Sequence, residues 1–315
     1  MTRYAKLSGF VLACVLTCLS GCARKEPPTV RLQWTVMGTV AAVQCPSRSE
    51  AQRAKQICER IFSEQEEIFS VWREDSVISK VNRSAGGGVP LPVPGHFRKV
   101  LGCALEVHAK SDGAFNPLLA PLSKLWGFLG AKQISREPSQ EAIDAALALT
   151  DCGDVQLDAA GCLLRKKGMT LDLGGIAKGY AVDVAYDALR GAGFSVFLID
   201  LGGNIRVSGN PHSDQEGWRI GIRDPHSRHG VASVVCLNSG EATATSADYE
   251  RFRIVDGKRY GHIVDARTGR PAQGRACTVK ASSAMVADVL STAVYVLDGR
   301  KSESLLKEYS ATRLY

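Results

Sequence analysis

Arg251-Phe252-Arg253-Ile254-Val255-Asp256-Gly257-Lys258-Arg259-Tyr260-Gly261-His262-Ile263-Val264-Asp265 carries two runs of strand-forming residues on either side of an Asp-Gly pair. Asp-Gly supplies the positive φ angles that a two-residue turn requires. The segments 251–255 and 260–264 are therefore expected to fold back on each other as an antiparallel hairpin. Upstream the texture is similar, with short strand-like runs at 162–165, 196–199, 218–222 and 232–237 and one helical pattern at 177–189. Downstream, an apolar helical run occupies 283–297. The first half of the chain differs. Ala54, Ile57, Ile61 and Ile68 recur at helical spacing through 49–69, and further helices are expected at 76–81, 97–110 and 138–149. Residues 32–44 read as one strand bent at Met37-Gly38. Helices first, then short strands with few βαβ alternations, give an α+β fold: a mostly antiparallel sheet flanked by helices.

The amino terminus reads as an address. Arg3 and Lys6 make a basic start, and the apolar run 7–19 is shorter than the roughly 20 residues a membrane-crossing helix needs. It ends in Leu19-Ser20-Gly21-Cys22, the spacing of a bacterial lipoprotein box, with Cys22 as the lipidated residue. Residues 1–21 are thus expected to be a signal peptide, 22–31 a polar, proline-containing tether, and 32–315 the folded domain. This predicts a membrane-anchored lipoprotein facing the periplasm. The net charge is +7, but no Lys/Arg block is interleaved with aromatics, which argues against a nucleic-acid partner. Of the ten cysteines, Cys14 and Cys18 fall in the signal segment. The seven beyond Cys22 form no C-x-x-C pair, so neither a zinc site nor a redox dithiol is suggested.

Four segments are unusual for a plain core. Ser111-Asp112-Gly113-Ala114-Phe115-Asn116-Pro117 is a turn enclosing an aromatic. Leu171-Asp172-Leu173-Gly174-Gly175-Ile176-Ala177-Lys178-Gly179-Tyr180 joins a strand to a helix through paired glycines. Such a junction lets backbone groups approach a ligand, and a helix start favours phosphate, though tight packing also calls for glycines. In the last apolar helix, Asp288 and Thr292 lie one turn apart on one face. They are either an ion-paired carboxylate with a back-bonded threonine or two oxygens of a hard-cation site. His262 is either structural or a general base.

Taken in order, further pieces join these: Met37-Gly38-Thr39, Ser70-Val71-Trp72, Leu201-Gly202-Gly203-Asn204, Thr245-Ser246 with Asp248-Tyr249, His262-Ile263-Val264-Asp265, and Asp288 with Ser291-Thr292. Together they resemble the FAD:protein FMN transferases of the ApbE family over nearly the whole chain beyond the tether. The resemblance implies a flavin cleft between two closely packed halves, with FAD touched by Met37, Trp72, Ala114, Phe115, Asn116, Gly174, Lys178, Tyr180 and His262. It implies Mg²⁺ held by Asp288, Thr292 and the Ala177 carbonyl. The implied reaction moves FMN from FAD to a threonine or serine hydroxyl of an acceptor protein and releases AMP, with His262 taking the hydroxyl proton. By the same resemblance the acceptor is a flavin-carrying subunit of a membrane redox complex. An Mg-dependent FAD pyrophosphatase and a non-catalytic FAD-binding lipoprotein are the alternatives. The family commonly has Asp and Gly where Asn116 and Ala247 stand.

Overall fold

The computed structural model describes residues 29–130, 134–212, 216–225, 227, 230–249, 251–274, 276–297 and 299–315. The expected signal peptide and Cys22 lie outside the described residues. The chain opens with strands β1 (Val30–Val36) and β2 (Thr39–Cys45), then helices α1 (Arg48–Phe69), α2 (Val77–Arg83), α3 (Gly95–Lys110), α4 (Ala120–Leu125) and α5 (Gln140–Leu147). Strands β3 (Val155–Asp158) and β4 (Gly161–Leu164) precede helix α6 (Ala177–Gly191). Next come β5 (Phe197–Leu201), β6 (Asn204–Ser208), β7 (Trp218–Arg223), β8 (Val231–Leu237) and β9 (Ala242–Ala247). Then follow β10 (Phe252–Val255), β11 (Lys258–Gly261), β12 (Val264–Asp265), β13 (Arg270–Pro271) and β14 (Ala276–Ala281). Helices α7 (Ala284–Val296) and α8 (Gly299–Glu308) and strand β15 (Thr312–Arg313) complete it.

The main sheet has the order β1-β2-β5-β6-β9-β14-β15, antiparallel at every step. Its sharp turns follow from local chemistry. Asp256 (φ +50°) and Gly257 (φ +74°) close β10 onto β11 as the Asp-Gly pair predicts. Gly202 (φ +61°) and Gly203 (φ +87°) do the same between β5 and β6. Met37 (φ +51°) and Gly38 (φ +67°) form a third such turn, so residues 32–44 are not one bent strand but part of a hairpin pairing Val36 with Thr39. Strand β1 starts inside the expected tether: Val30 and Arg31 pair with Cys45 and Gln44, and Arg31 forms a 2.7 Å ion pair with Asp200.

One face of the sheet is covered by α1, α6 and α7. Ala41, Val43, Phe197 and Ile199 from the sheet meet Phe62 of α1 and Ala181 of α6 in a fully buried layer. Burying large side chains of this kind is worth about 1.5–3 kcal/mol each. The hairpin β7–β8 covers part of the opposite face, setting Trp218, Ile220 and Leu237 on Leu198 and Val207. Helices α2 and α3 build a second half, whose core joins Ile78, Phe97, Val100 and Leu101 to Val289 and Leu290 of α7. Among the described residues no helix is long and apolar enough to cross a membrane.

Candidate active site

A cleft of about 680 Å³ runs between the two halves, within the range of about 300–1,000 Å³ usual for small-molecule sites. Its walls come from the β1–β2 turn, the end of α1, the segment after α3, the loop entering α6, the end of β9, the His262 loop and α7.

The loop beyond α1 is pinned by Ser76, whose hydroxyl donates to the Ser70 carbonyl (2.7 Å) and accepts from the Ser79 N–H (3.1 Å). That hold leaves Trp72 projecting at the cleft, 61% exposed. Phe115 is set by two bonds: its N–H donates to Ser111 Oγ (3.1 Å), and its carbonyl accepts from His108 Nδ1 (3.0 Å). Asn116 lines the cleft but spends both polar atoms on the scaffold. Its Oδ1 accepts from the Leu118 N–H (2.8 Å) and its Nδ2 donates to the Thr150 carbonyl (3.0 Å). An aspartate there could not donate to Thr150, which gives the amide a structural reason. Ala247 sits in β9 opposite Ala276 with no positive φ, so no glycine is required there.

The paired glycines act through close approach. A Cβ on Gly175 would stand 3.2 Å from both Phe115 Cε2 and Thr292 Oγ1, so the loop lies directly on that pair. The Gly174 N–H donates to Asp172 Oδ1 (2.8 Å), and Lys178 Nζ donates to the Gly174 carbonyl (2.7 Å). The residue before α6, Ile176, offers no side-chain cap. The first-turn N–H groups of Ala177 and Gly179 donate to the Leu173 carbonyl (2.9 Å) and to Asp288 Oδ2 (2.9 Å), so the positive charge that faces the cleft here is that of Lys178.

Gly179 decides how α6 meets α7. A Cβ there would lie 2.2 Å from the Ala284 carbonyl oxygen and 2.7 Å from Asp288 Cβ, while its N–H donates to Asp288 Oδ2 (2.9 Å). Gly179→Ala should therefore force the helices apart and shift Asp288. The expected result is a loss of about 1–3 kcal/mol in a thermal or denaturant melt, together with weakened activity. An alanine variant melting with the parent would show that this contact yields freely. Asp183 adds a second fix on α7, accepting from the Ala284 and Met285 N–H groups (2.8 and 2.9 Å) and pairing with Arg206 Nη1 (2.8 Å).

Asp288 is buried, and burial pushes its pKa up, opposed by the charge of Lys178 and by the Gly179 N–H. Among the described residues no Lys or Arg nitrogen forms an ion pair with it, which removes the simple salt-bridge reading. Thr292 Oγ1 shares a 2.9 Å hydrogen bond with Ser246 Oγ, which shares another of 2.9 Å with Ser291 Oγ. Ser246 is a site residue that spacing alone does not single out. Asp288, Thr292 and Ala177 all line the cleft, an oxygen-rich set around one carboxylate. Among the described residues no cluster of three His, Cys, Asp or Glu could hold a metal.

His262 lies half-buried in the same cleft. Its backbone N–H and its Nδ1 both donate to the Arg251 carbonyl (3.1 and 3.2 Å), so Nε2 is left as the proton acceptor. Burial lowers its pKa to about 4, assisted by the charges of Arg251 and Lys178, while the Arg251 carbonyl pulls the other way. The ring is neutral near pH 7. Arg251 also lines the cleft, a second residue that the sequence pattern does not flag.

Of the residues expected at the site, Met37, Trp72, Phe115, Asn116, Gly174, Lys178 and His262 line the cleft. Ala114 and Tyr180 stand behind the wall instead. Ala114 is packed in the core under the turn, and the Tyr180 hydroxyl turns away to His96 Nδ1, 2.6 Å distant, with its ring edge-on to Phe69.

A family model described as ApbE family matches residues 37–314. The chain belongs to the ApbE family. It is 34% identical to a Treponema pallidum protein named FAD:protein FMN transferase, over 95% of this chain and 87% of that one. A Vibrio cholerae protein of the same name is 32% identical over 90% of this chain and 85% of its own length. Among solved structures, the flavin transferase ApbE from Vibrio cholerae superposes with a TM-score of 0.80 at 27% identity, covering 91% of this chain and 93% of that one. The apo flavinyl transferase ApbE from Pseudomonas stutzeri gives 0.78 at 31% identity, over 90% of each chain. The α+β architecture with its large antiparallel sheet is thus that of the ApbE family.

Proposed function

We propose that the chain transfers FMN from FAD to a threonine or serine hydroxyl of an acceptor protein, with release of AMP. The observation that carries this reading is one cleft lined by a neutral His262 with a free Nε2, the Lys178 ammonium and the buried Asp288 carboxylate. The names of the relatives support it. Exposed Trp72 and half-buried Met37 offer an aromatic and a thioether face for the flavin ring, and Lys178 offers positive charge for the pyrophosphate. Asp288, Thr292 and the Ala177 carbonyl fit a hard divalent cation, for which Mg²⁺ is our assignment, with phosphate and water oxygens filling the remaining positions. When bound, such a cation offsets charge on phosphoryl oxygens.

The acceptor hydroxyl oxygen attacks the FMN-side phosphorus of FAD. The new P–O bond forms as the bond from that phosphorus to the oxygen bridging to AMP breaks, and His262 Nε2 receives the hydroxyl proton. Positioning supplies much of the rate, since little else separates the acceptor hydroxyl from water. The test incubates the folded domain with FAD, Mg²⁺ and soluble fragments of flavin-carrying redox subunits. In-gel flavin fluorescence and an FMN mass adduct are expected. AMP and free FMN formed at the same rate with and without acceptor would assign hydrolysis instead. Intact FAD after incubation would assign storage.

We further propose that Cys22 anchors the domain to a membrane on the periplasmic side, where it would meet membrane-bound acceptors. Cys22→Ser should abolish acylation and block signal processing at this site, as followed by radiolabelled palmitate and by the mass of the chain. A variant that is still acylated and processed would overturn the anchor.

A further inference from the structure

The hairpin β10–β11 stands apart from the main sheet, and β10 pairs only with β11 among the described residues. Its register shows which backbone groups are in use. A two-residue turn makes Val255 and Lys258 a hydrogen-bonded pair, and bonding alternates from there through Arg253 and Tyr260. The His262 N–H on the Arg251 carbonyl (3.1 Å) continues that alternation. Phe252 and Ile254 therefore aim their N–H and C=O groups away from β11, toward an edge that has no strand partner among the described residues. Their side chains are also exposed, by 44% and 58%. Beside this edge lies a recess of about 260 Å³ walled by Phe128, Arg251, Phe252 and Arg253. Phe128 and Arg251 also line the main cleft, so recess and cleft share a wall. The hairpin carries Arg251, Arg253, Lys258 and Arg259 against Asp256. Lys258 and Arg259 pair with Glu137 (3.8 Å) and Asp248 (3.7 Å), so the positive charge offered to a partner is that of Arg251 and Arg253 on the recess wall.

We infer that the acceptor polypeptide docks by adding an extended strand to the free edge of β10, with acidic residues flanking its reactive threonine or serine. This rests on the transfer reading, which demands that a polypeptide, and not only a small molecule, reach the cleft. An unpaired edge supplies main-chain bonds whatever the acceptor sequence, while alternate side chains enter the recess or solvent. The strand that receives the acceptor begins beside Arg251, whose carbonyl orients His262. Docking and proton acceptance are thereby coupled through one residue.

Ile254→Pro tests this on the folded protein. Proline deletes only an outward N–H, and edge strands tolerate it, so the hairpin's own bonds persist. With an acceptor fragment that the parent labels, kcat/KM for acceptor should fall at least about tenfold, the effect of losing one hydrogen bond and introducing the ring. FAD affinity, read by flavin fluorescence, should be unchanged. Ile254→Thr keeps the N–H and should stay close to the parent. Independently of turnover, amide exchange at Ile254 should slow when the fragment is added to FAD-loaded protein. Equal rates for parent and proline variant, equal losses for proline and threonine, or unprotected exchange at Ile254 would each overturn strand addition. Failure of the transfer reading looks different: the parent itself forms no adduct while still cleaving or holding FAD.

Discussion

His262→Ala should lower the rate of FMN transfer by about 10²–10⁴-fold while leaving FAD affinity within a few-fold of the parent. The basis is the ring's arrangement: Nδ1 is committed to the Arg251 carbonyl, and Nε2 is left free within the cleft. Burial is the main cause of the pKa falling to about 4, so the base form dominates at neutral pH. The acid limb of kcat/KM, which reports the free enzyme, should accordingly lie near pH 4 and not near the 6.5 of an exposed imidazole. The same depression links to stability. The unfolded chain binds this proton first, so the contribution is complete above about pH 6.5 and is lost as the pH falls toward 4. Rapid-quench rates with saturating FAD, a pH profile and added imidazole distinguish the roles. A base predicts a slow variant partly rescued by imidazole. Equal losses in FAD affinity and rate would reassign His262 to holding the flavin, and an unchanged rate would remove it from the chemistry.

Much of this site is legible in the amino-acid sequence, for reasons that particular residues make plain. Asp256-Gly257 predicts its hairpin because the turn needs positive φ and few dipeptides supply it. Met37-Gly38 makes a turn of the same kind but reads as a bend, because a methionine at φ +51° gives no such signal. Strand β9, Ala-Thr-Ala-Thr-Ser-Ala, is hard to see in sequence since its small residues lack the bulk of a typical strand. Its Ala244 packs against Ala287 of α7, where bulk would not fit, and that is a tertiary constraint. Asp288 stands out because a carboxylate in an apolar helix demands an explanation. Arg251 does not, because a single arginine in a charged hairpin is ordinary until the fold turns it into the cleft. Tyr180 shows the opposite limit. It belongs to a segment that matches the family, yet its hydroxyl is engaged with His96 behind the cleft wall.

Asp288→Ala should abolish transfer almost completely, by on the order of 10³-fold or more, because it removes the one carboxylate among the oxygens assigned to the cation. A hydroxyl and a backbone carbonyl alone are weak ligands for an ion that gives up water reluctantly. The structural cost should be modest. Among the described residues no cation is paired with Asp288, so its loss strands no buried charge, and the main casualty is the Gly179 N–H that it accepts (2.9 Å). Leaving one such donor unsatisfied costs about 1–3 kcal/mol, partly offset because burial no longer has to be imposed on a carboxylate. Asp288→Asn is the companion variant. It keeps the shape and can still accept from Gly179, so its melt should match the parent while its cation affinity falls. Calorimetric Mg²⁺ titration in the presence of FAD, thermal melts and transfer rates on the same preparations read these effects separately. A purely structural role predicts the reverse, with a large melting shift in alanine and an unaltered Mg²⁺ requirement in whatever remains folded. A folded Asp288→Ala protein that transfers FMN at the parent rate, with the parent's Mg²⁺ affinity, would eliminate the carboxylate as a ligand.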